Sequence, residues 1–281
     1  MRRLLYIIIG IWELLPATAQ TTYQHSDSVR ICQLLKQAPR DATTLWFARQ
    51  FLGVPYVAHT LEVNDREQLV VNTRQLDCTT LVETVTALTL CARNGNRTWQ
   101  GFTDALCRLR YRGGRCDGYP SRLHYFTDWI ADKQQMGIVS EIQSPDPPFT
   151  AVQKIAVSYM SEHPQSYKAL KSHPEFVPVI RQQEQSLTGR QYRYIPKAAV
   201  RNTKLLRAIV KDGDIIAITC SKKGLDIAHL GFAVWRKDGL HLLNASQLHK
   251  KVVEEPMTFR QYLQRHKTHT GFRVVRVNSE L

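Results

Sequence analysis

The sequence changes character near Gln191, and this change constrains the fold more than any other feature. Helical spacing of apolar residues is typical of the first part, as in residues 26–52, whereas short alternating or wholly apolar stretches follow after Gln191. Residues 229–235 and 240–246 are two such stretches, and Asp238-Gly239 between them is a strong hairpin signal. Helices followed by antiparallel strands predict an α+β fold rather than a doubly wound sheet.

A cysteine stands at the predicted start of an amphipathic helix. Asp77-Cys78 is followed by apolar residues at helical spacing over residues 81–90, and Thr80 with Glu83 fits the capping-box pattern. The positive end of a helix favours a thiolate, and its free N–H groups can hold an oxyanion. Cys78 is therefore a candidate nucleophile, whereas Asp77 is interpreted as a helix cap.

The predicted hairpin offers a base for this cysteine. Whether its loop has two or four residues, His229 lies on the same face as Asn244 and Ser246, and His241 lies on the other. Facing and diagonal neighbours are about 5–8 Å apart, close enough for an amide or hydroxyl to orient an imidazole. Cys78, His229 and Asn244 are the predicted catalytic set, with Ser246 as the alternative third member.

The first 19 residues have the parts of a secretory signal peptide. Arg2-Arg3 precedes an apolar run, and Ala17-Thr18-Ala19 fits a cleavage site. The run is shorter than the roughly 20 residues that span a bilayer. We therefore expect export to the periplasm or cell envelope, no stable membrane insertion after cleavage, and a single catalytic domain over residues 20–281.

The net charge and the possible metal ligands predict which partners and cofactors the protein binds. The formal charge of +14 favours anionic envelope polymers or lipid head groups over nucleic acid as partners of an exported protein. A zinc site needs a ligand set that His266 and His269 do not supply, so neither a metal nor another cofactor is expected. Among six cysteines, Cys107 and Cys116 flank a glycine turn and are the best candidates for a disulfide.

At these residues the chain resembles the NlpC-type cell-wall cysteine hydrolases of the papain-like superfamily. The matching segments are residues 77–82 (Asp-Cys-Ser-Gly-Leu-Val in the family), 229–233 (His-Val-Gly-Ile-Tyr) and 243–246 (Ile-His-Ala-Ser). Asn244 stands where the family usually has histidine, and Thr79-Thr80 replaces Ser-Gly. A longer pattern that includes Leu61-Glu62 and residues 122–129 is similar to a Bacteroidetes-type branch described as N-acetylmuramoyl-L-alanine amidase-like.

The resemblance implies a fold and a substrate. The fold is a papain-like core in which the Cys78 helix packs on an antiparallel sheet, with a largely helical insertion around residues 100–190. The substrate is peptidoglycan or its muropeptide fragments, cleaved at the amide between N-acetylmuramic acid and L-alanine. Two alternatives stay open: a γ-D-glutamyl-diamino acid endopeptidase acting on stem peptides, and a non-catalytic peptidoglycan-binding protein.

The resemblance also suggests substrate-binding residues. Tyr56 is expected in the oxyanion region, Arg122 opposite a substrate carboxylate, and Trp129 beneath a sugar, with Ser246 as a further contact. Each has a structural alternative: a packed turn residue for Tyr56, a surface charge for Arg122 and a core side chain for Trp129.

Overall fold

The structure is a computed structural model that describes residues 21–279, so the predicted signal peptide lies outside the described residues. Its α-helices are α1 (His25–Gln37), α2 (Thr44–Arg49), α3 (Cys78–Arg93), α4 (Trp99–Arg110), α5 (Phe126–Gln135), α6 (Tyr159–Glu162), α7 (Lys168–Ser172), α8 (Phe176–Leu187), α9 (Lys204–Ile209) and α10 (Phe259–Arg265). Its strands are β1 (Thr21–Thr22), β2 (Leu69–Val70), β3 (Val139–Ile142), β4 (Ala151–Lys154), β5 (Gln191–Pro196), β6 (Ile215–Cys220), β7 (Ile227–Trp235), β8 (Leu240–Ser246), β9 (Lys251–Glu254) and β10 (His269–Val277). Over residues 21–279, no helix has the length and apolar character needed to cross a membrane.

One antiparallel sheet organises the molecule. Its strand order is β4-β5-β10-β6-β7-β8-β9, and β3 pairs with residues 274–277 of β10, beyond the part of β10 that pairs with β5. Strands β1 and β2 form a separate parallel pair. The predicted α+β class is confirmed.

The sheet is buried on both faces, which explains the wholly apolar sequence of β6. Ile215 and Ala217 face the core formed with α1 to α5, while Ile216 and Ile218 face a second core that includes α9 and α10. A strand covered on both sides has no need of polar alternation. The sheet is therefore the middle layer between two sets of helices.

The cysteine helix begins where the sequence predicted, but with a different cap. Asp77 is the N-cap: its Oδ1 accepts from the Thr80 backbone N–H at 2.8 Å, and the Thr80 hydroxyl accepts from the Asp77 N–H at 2.9 Å. The predicted Thr80–Glu83 capping box is wrong, because Glu83 lies inside α3 and accepts from the buried Arg110 at 2.7 Å. The interpretation of Asp77 as a cap is confirmed.

The β7–β8 hairpin turns at Lys237-Asp238, one residue before the Asp238-Gly239 turn that the sequence indicated. Trp235 pairs with Leu240, and Arg236 and Gly239 exchange backbone hydrogen bonds across the loop. Strands β7 and β8 lie very close together at Gly231, where an added Cβ would lie 2.6 Å from the Leu243 carbonyl oxygen. Glycine therefore allows β7 and β8 to pair beside His229.

The segment around residues 100–190 is not wholly helical. Helices α6 to α8 form a small apolar cluster around Met160, Ile180 and Leu187, but β3 and β4 within the same segment pair with the main sheet. The segment is thus joined to the core by strands as well as by packing. Cys107 and Cys116, the predicted disulfide, are both free thiols in this structure.

Candidate active site

Cys78 and His229 line one cavity. This cavity has a volume of about 170 Å³ and is also lined by His124, Tyr167 and Asp226. Helix α3 packs on one face of the sheet, whereas His229 lies on the face toward α10. The Leu230 backbone N–H, one residue after His229 in β7, lies against the Cys78 sulfur.

The surroundings of Cys78 favour the neutral thiol. Burial raises the pKa of Cys78 to about 12, and the neighbouring Asp77 carboxylate adds to this effect. Hydrogen bonds from the Leu230 and Thr79 N–H groups and from the Thr79 hydroxyl act in the opposite direction but are outweighed. The expectation that the helix end would supply a thiolate at neutral pH is therefore wrong for the free protein, and the sulfur requires a base.

Asn244 fixes the proton on the imidazole. His229 Nε2 lies 2.9 Å from Asn244 Oδ1, and Asn244 Nδ2 donates to Glu255 Oε1 at 3.0 Å. A carboxylate only accepts, so Glu255 holds the amide with its NH₂ group toward β9 and its oxygen toward His229. Nε2 must then carry the hydrogen, which leaves Nδ1 of His229 with a free lone pair.

His229 is suited to accept a proton. Burial lowers the pKa of His229 below its ordinary value of 6.5, although the hydrogen bond to Asn244 and the negative charge of Glu255 raise it in part. The imidazole is therefore neutral at neutral pH. A neutral imidazole beside a neutral thiol can act as a general base, with no preformed ion pair.

Glu255 is the residue of this site that sequence reasoning missed. Its side chain is 1 % exposed, and its second oxygen, Oε2, lies 3.1 Å from Nε2 of His249. Hydrogen-bonded atoms thus run from His249 through Glu255 and Asn244 to His229. No pattern in the sequence marks Glu255, because Glu254-Glu255 before a proline is ordinarily typical of an exposed strand end.

Tyr56 lies near Cys78, and Ser246 lines a cavity together with His229. Burial raises the pKa of the Tyr56 hydroxyl, and the neighbouring Cys78 and Asp77 raise it further, which places the ring close to Cys78. The Tyr56 N–H donates to the Lys250 carbonyl at 2.9 Å. Ser246 Oγ accepts from the His249 N–H at 3.2 Å, so the structure places Asn244 rather than Ser246 at the imidazole.

Arg122 is engaged by the protein itself. It is 8 % exposed and contacts Glu62 and Glu67 at 2.6 Å each, so its charge is already balanced. It lines a cavity of about 440 Å³ whose lining does not include Cys78 or His229. Because two carboxylates already balance its charge, the structure favours a structural role for Arg122 over the predicted contact with a substrate carboxylate.

Trp129 belongs to the core. Its side chain is 1 % exposed and stacks on Phe126 with ring centroids 4.8 Å apart. A ring with no exposed face cannot support a sugar, so the structure favours the core alternative. Within residues 21–279, no group of three or more histidine, cysteine or acidic side chains is arranged to hold a metal ion.

Comparisons with known proteins show the family of this chain. The sequence profile of the AmiA-like, N-acetylmuramoyl-L-alanine amidase-like family matches residues 46–271. Crystal structures of an N-acetylmuramoyl-L-alanine amidase from Bacteroides uniformis are 42 % identical, with TM-scores of 0.77 and 0.78; the alignments cover 84 % of this chain and 97 % and 99 % of those chains. Comparison with curated proteins gives no match.

Two further structures have the same fold. A Bacteroides fragilis protein with a provisional xylanase description is 40 % identical over 83 % of this chain and 100 % of its own, with a TM-score of 0.77. Protein LPG0564 from Legionella pneumophila is 22 % identical over 90 % of this chain and 93 % of its own, with a TM-score of 0.67, and shows likeness of fold alone.

Fold and matches together define an enzyme of the amidase-like class that acts on peptidoglycan. More particularly, the chain belongs to the AmiA-like, N-acetylmuramoyl-L-alanine amidase-like family. This family acts on the cell wall, which suggests action outside the cytoplasm.

Proposed function

We propose that this protein is an exported cysteine amidase that cleaves the bond between N-acetylmuramic acid and L-alanine by an NlpC-type, papain-like mechanism. The observation that carries the proposal is the oriented His229: Asn244 and Glu255 leave its Nδ1 free in the cavity that Cys78 also lines. A protein that only bound peptidoglycan would need no such arrangement.

Catalysis begins with proton transfer. Nδ1 of His229 takes the Cys78 proton as the sulfur attacks the lactyl carbonyl carbon of the muramic acid. The C–N bond then breaks, the imidazolium gives its proton to the departing L-alanyl nitrogen, and a thioester to Cys78 remains. Water, deprotonated by His229, hydrolyses the thioester and restores the thiol.

The oxyanion is held at the start of α3. The first N–H groups of a helix have no partner within the helix. The Thr80 N–H donates to Asp77 and the Thr79 N–H to the Cys78 sulfur, so the Cys78 N–H is the one directed to the oxyanion in the transition state. The Tyr56 hydroxyl, protonated because its pKa is raised, is the side-chain donor in this role.

Cleavage of a glycosidic bond is poorly supported. Glycosidases ordinarily use two carboxylates that flank the scissile bond. Among the residues lining the cavity of Cys78 and His229, Asp226 is the acid, and its Oδ2 accepts from the Thr127 N–H at 2.7 Å. The site therefore has the groups for acyl transfer rather than for sugar hydrolysis.

A muropeptide assay tests the proposal. Purified protein is incubated with muramoyl-peptides, and the products are identified by mass spectrometry for the wild type, for Cys78→Ala, and for the wild type with a chelator. We expect a free L-alanyl amine from the wild type with and without chelator, and a loss of at least about 10³-fold in Cys78→Ala. Release of a diamino-acid peptide instead would show the γ-D-glutamyl endopeptidase alternative, and loss of activity with chelator alone would overturn cysteine catalysis.

A further inference from the structure

A second cavity also opens on His229. It has a volume of about 410 Å³ and is lined by Ser246 and Gln247 at the end of β8, Lys250 in the next turn, Tyr262 on α10, and the His266/His269 pair. These two histidines were singled out in the sequence only as an unsuitable zinc pair. The structure brings them beside the catalytic imidazole.

The cavity is lined by basic groups without acidic partners. Lys250, His229, His266 and His269 line it, whereas its lining includes no aspartate or glutamate. Within residues 21–279, the Lys250 side chain makes no ion pair. Its backbone has a φ of 58°, in the left-handed region, so the β8–β9 turn holds Lys250 at this position against its own backbone preference.

The carboxylates nearest to this cavity already form hydrogen bonds with other groups of the protein. Glu255 acts on His229 and Tyr262 through its charge, but its oxygens are bound to Asn244 and His249. Asp77, which also acts on His229, caps α3 through Thr80. Both carboxylates keep their charge but lie outside the lining, so no acidic side chain lines the cavity itself.

The two paired histidines have unused hydrogen-bonding capacity. Their rings are stacked with centroids 4.4 Å apart and an interplanar angle of 8°. His266 Nδ1 donates to the Tyr262 carbonyl at 2.9 Å, and Nδ1 of His269, a residue 7 % exposed, is buried without a partner. Burial, with the neighbouring His266, His229 and Lys197, lowers the pKa of His269 to about 4, so this ring is neutral in the free protein. A ring gains a donor when it binds a proton, and a bound anion would favour that protonation. Leu248, 69 % exposed on the rim, adds an apolar contact.

We propose that this cavity is the subsite for a carboxylate of the stem peptide. The inference rests on the proposed function. In the muramoyl amide the lactyl acid is consumed in the scissile bond, so the free carboxylates of the substrate belong to the peptide. The cavity beside His229 therefore receives the leaving group, and Lys250 with the histidine pair selects peptides that carry a free acid.

Matched substrates test this subsite. We compare MurNAc-L-Ala-D-Glu with its diamide in the wild type and in Lys250→Asn/His266→Gln, since asparagine tolerates the left-handed backbone. The wild type is expected to prefer the acid by about tenfold or more in kcat/KM, as for one charged hydrogen bond. The double variant should lose this preference, so that its kcat/KM on the acid falls to its kcat/KM on the diamide. Lys251→Asn, one residue away and outside the cavity lining, is the charge-matched control and should keep the preference.

The outcomes distinguish a failure of the proposed subsite from a failure of the proposed reaction. Equal rates on acid and diamide in an active wild type would overturn the subsite while the amidase activity stands. If neither substrate is cleaved, the proposed function fails, and calorimetric titration with L-Ala-D-Glu decides the subsite. Binding that is lost in the double variant supports it, and absence of binding to the wild type overturns it.

Discussion

The amide nitrogen of Asn244 donates to Glu255 Oε1 at 3.0 Å, and this contact determines which nitrogen of His229 can act as a base. Without the carboxylate, the amide could turn and present its NH₂ group to the imidazole. The ring would then keep its hydrogen on Nδ1, the atom that must receive the thiol proton.

Glu255→Gln is therefore expected to reduce kcat by about ten- to a hundredfold, the scale of one charge-assisted hydrogen bond. The acid limb of the pH–rate profile should also move to lower pH, because the Glu255 charge raises the pKa of His229. Steady-state kinetics over a pH series measures both effects. Glu254→Gln is the matched control, since the Glu254 carboxylate pairs with Arg49 and Arg236.

An unchanged pH profile in Glu255→Gln, together with a lowered melting temperature, would assign Glu255 a purely structural role. The double variant Asn244→Ala/Glu255→Gln offers a further check. Because both residues act through His229, the two effects on kcat should be far from additive.

The pH dependence of Cys78 itself separates general-base catalysis from a preformed ion pair. Because the pKa of the thiol is raised to about 12, alkylation of Cys78 by iodoacetamide should accelerate steadily from pH 7 to 10. Turnover should behave differently: it needs neutral His229, whose pKa is lowered, so its acid limb should fall below pH 6.5. A plateau of alkylation near pH 6 would show a stable thiolate and contradict the general-base scheme.

Arg122 is expected to govern stability rather than substrate affinity. Arg122→Met leaves Glu67, whose side chain is 4 % exposed, without its cation, and breaking such a buried pair costs about 3–5 kcal/mol. Urea denaturation measures this loss. Arg49→Met is the exposed control, with an expected cost of about 1 kcal/mol or less. Normal stability with a raised KM in Arg122→Met would restore the substrate-binding role.

Gly231→Ala tests the close approach of the hairpin strands. The added methyl would lie 2.6 Å from the Leu243 carbonyl oxygen and 2.7 Å from the Leu242 side chain, so β8 must move. We expect a loss of stability of about 1–3 kcal/mol and lower activity, because Asn244 moves with β8. Thermal melting and kinetics check this. Wild-type values for both would mean that the strands are not so tightly constrained.

The sequence was most informative where the structure depends on local rules. The side on which His229 and Asn244 lie follows from alternation along a hairpin, and any loop of even length gives the same answer. Asp77 as a cap follows equally from its place before an apolar helix. Both predictions depend only on residues that are close together in the sequence or are joined by one turn.

Other features depend on packing between distant segments. Glu255 becomes a positioning group only because the chain after β9 buries it behind Asn244, and burial of a carboxylate is not encoded in a short pattern. The raised pKa of Cys78 likewise depends on burial by β7. Strands β3 and β4 have four residues each and are stabilised by pairing with β10 and β5. Their short sequences therefore do not by themselves indicate strands.

Trapping the thioester tests the central claim most directly. Wild-type protein is mixed with a muramoyl-peptide, quenched in acid within the first turnover, digested and mapped by mass spectrometry. The account predicts the mass of the muramoyl acyl group on the peptide that contains Cys78, with equimolar release of the L-alanyl peptide. Turnover without any adduct on Cys78, and with activity retained in Cys78→Ala, would contradict it.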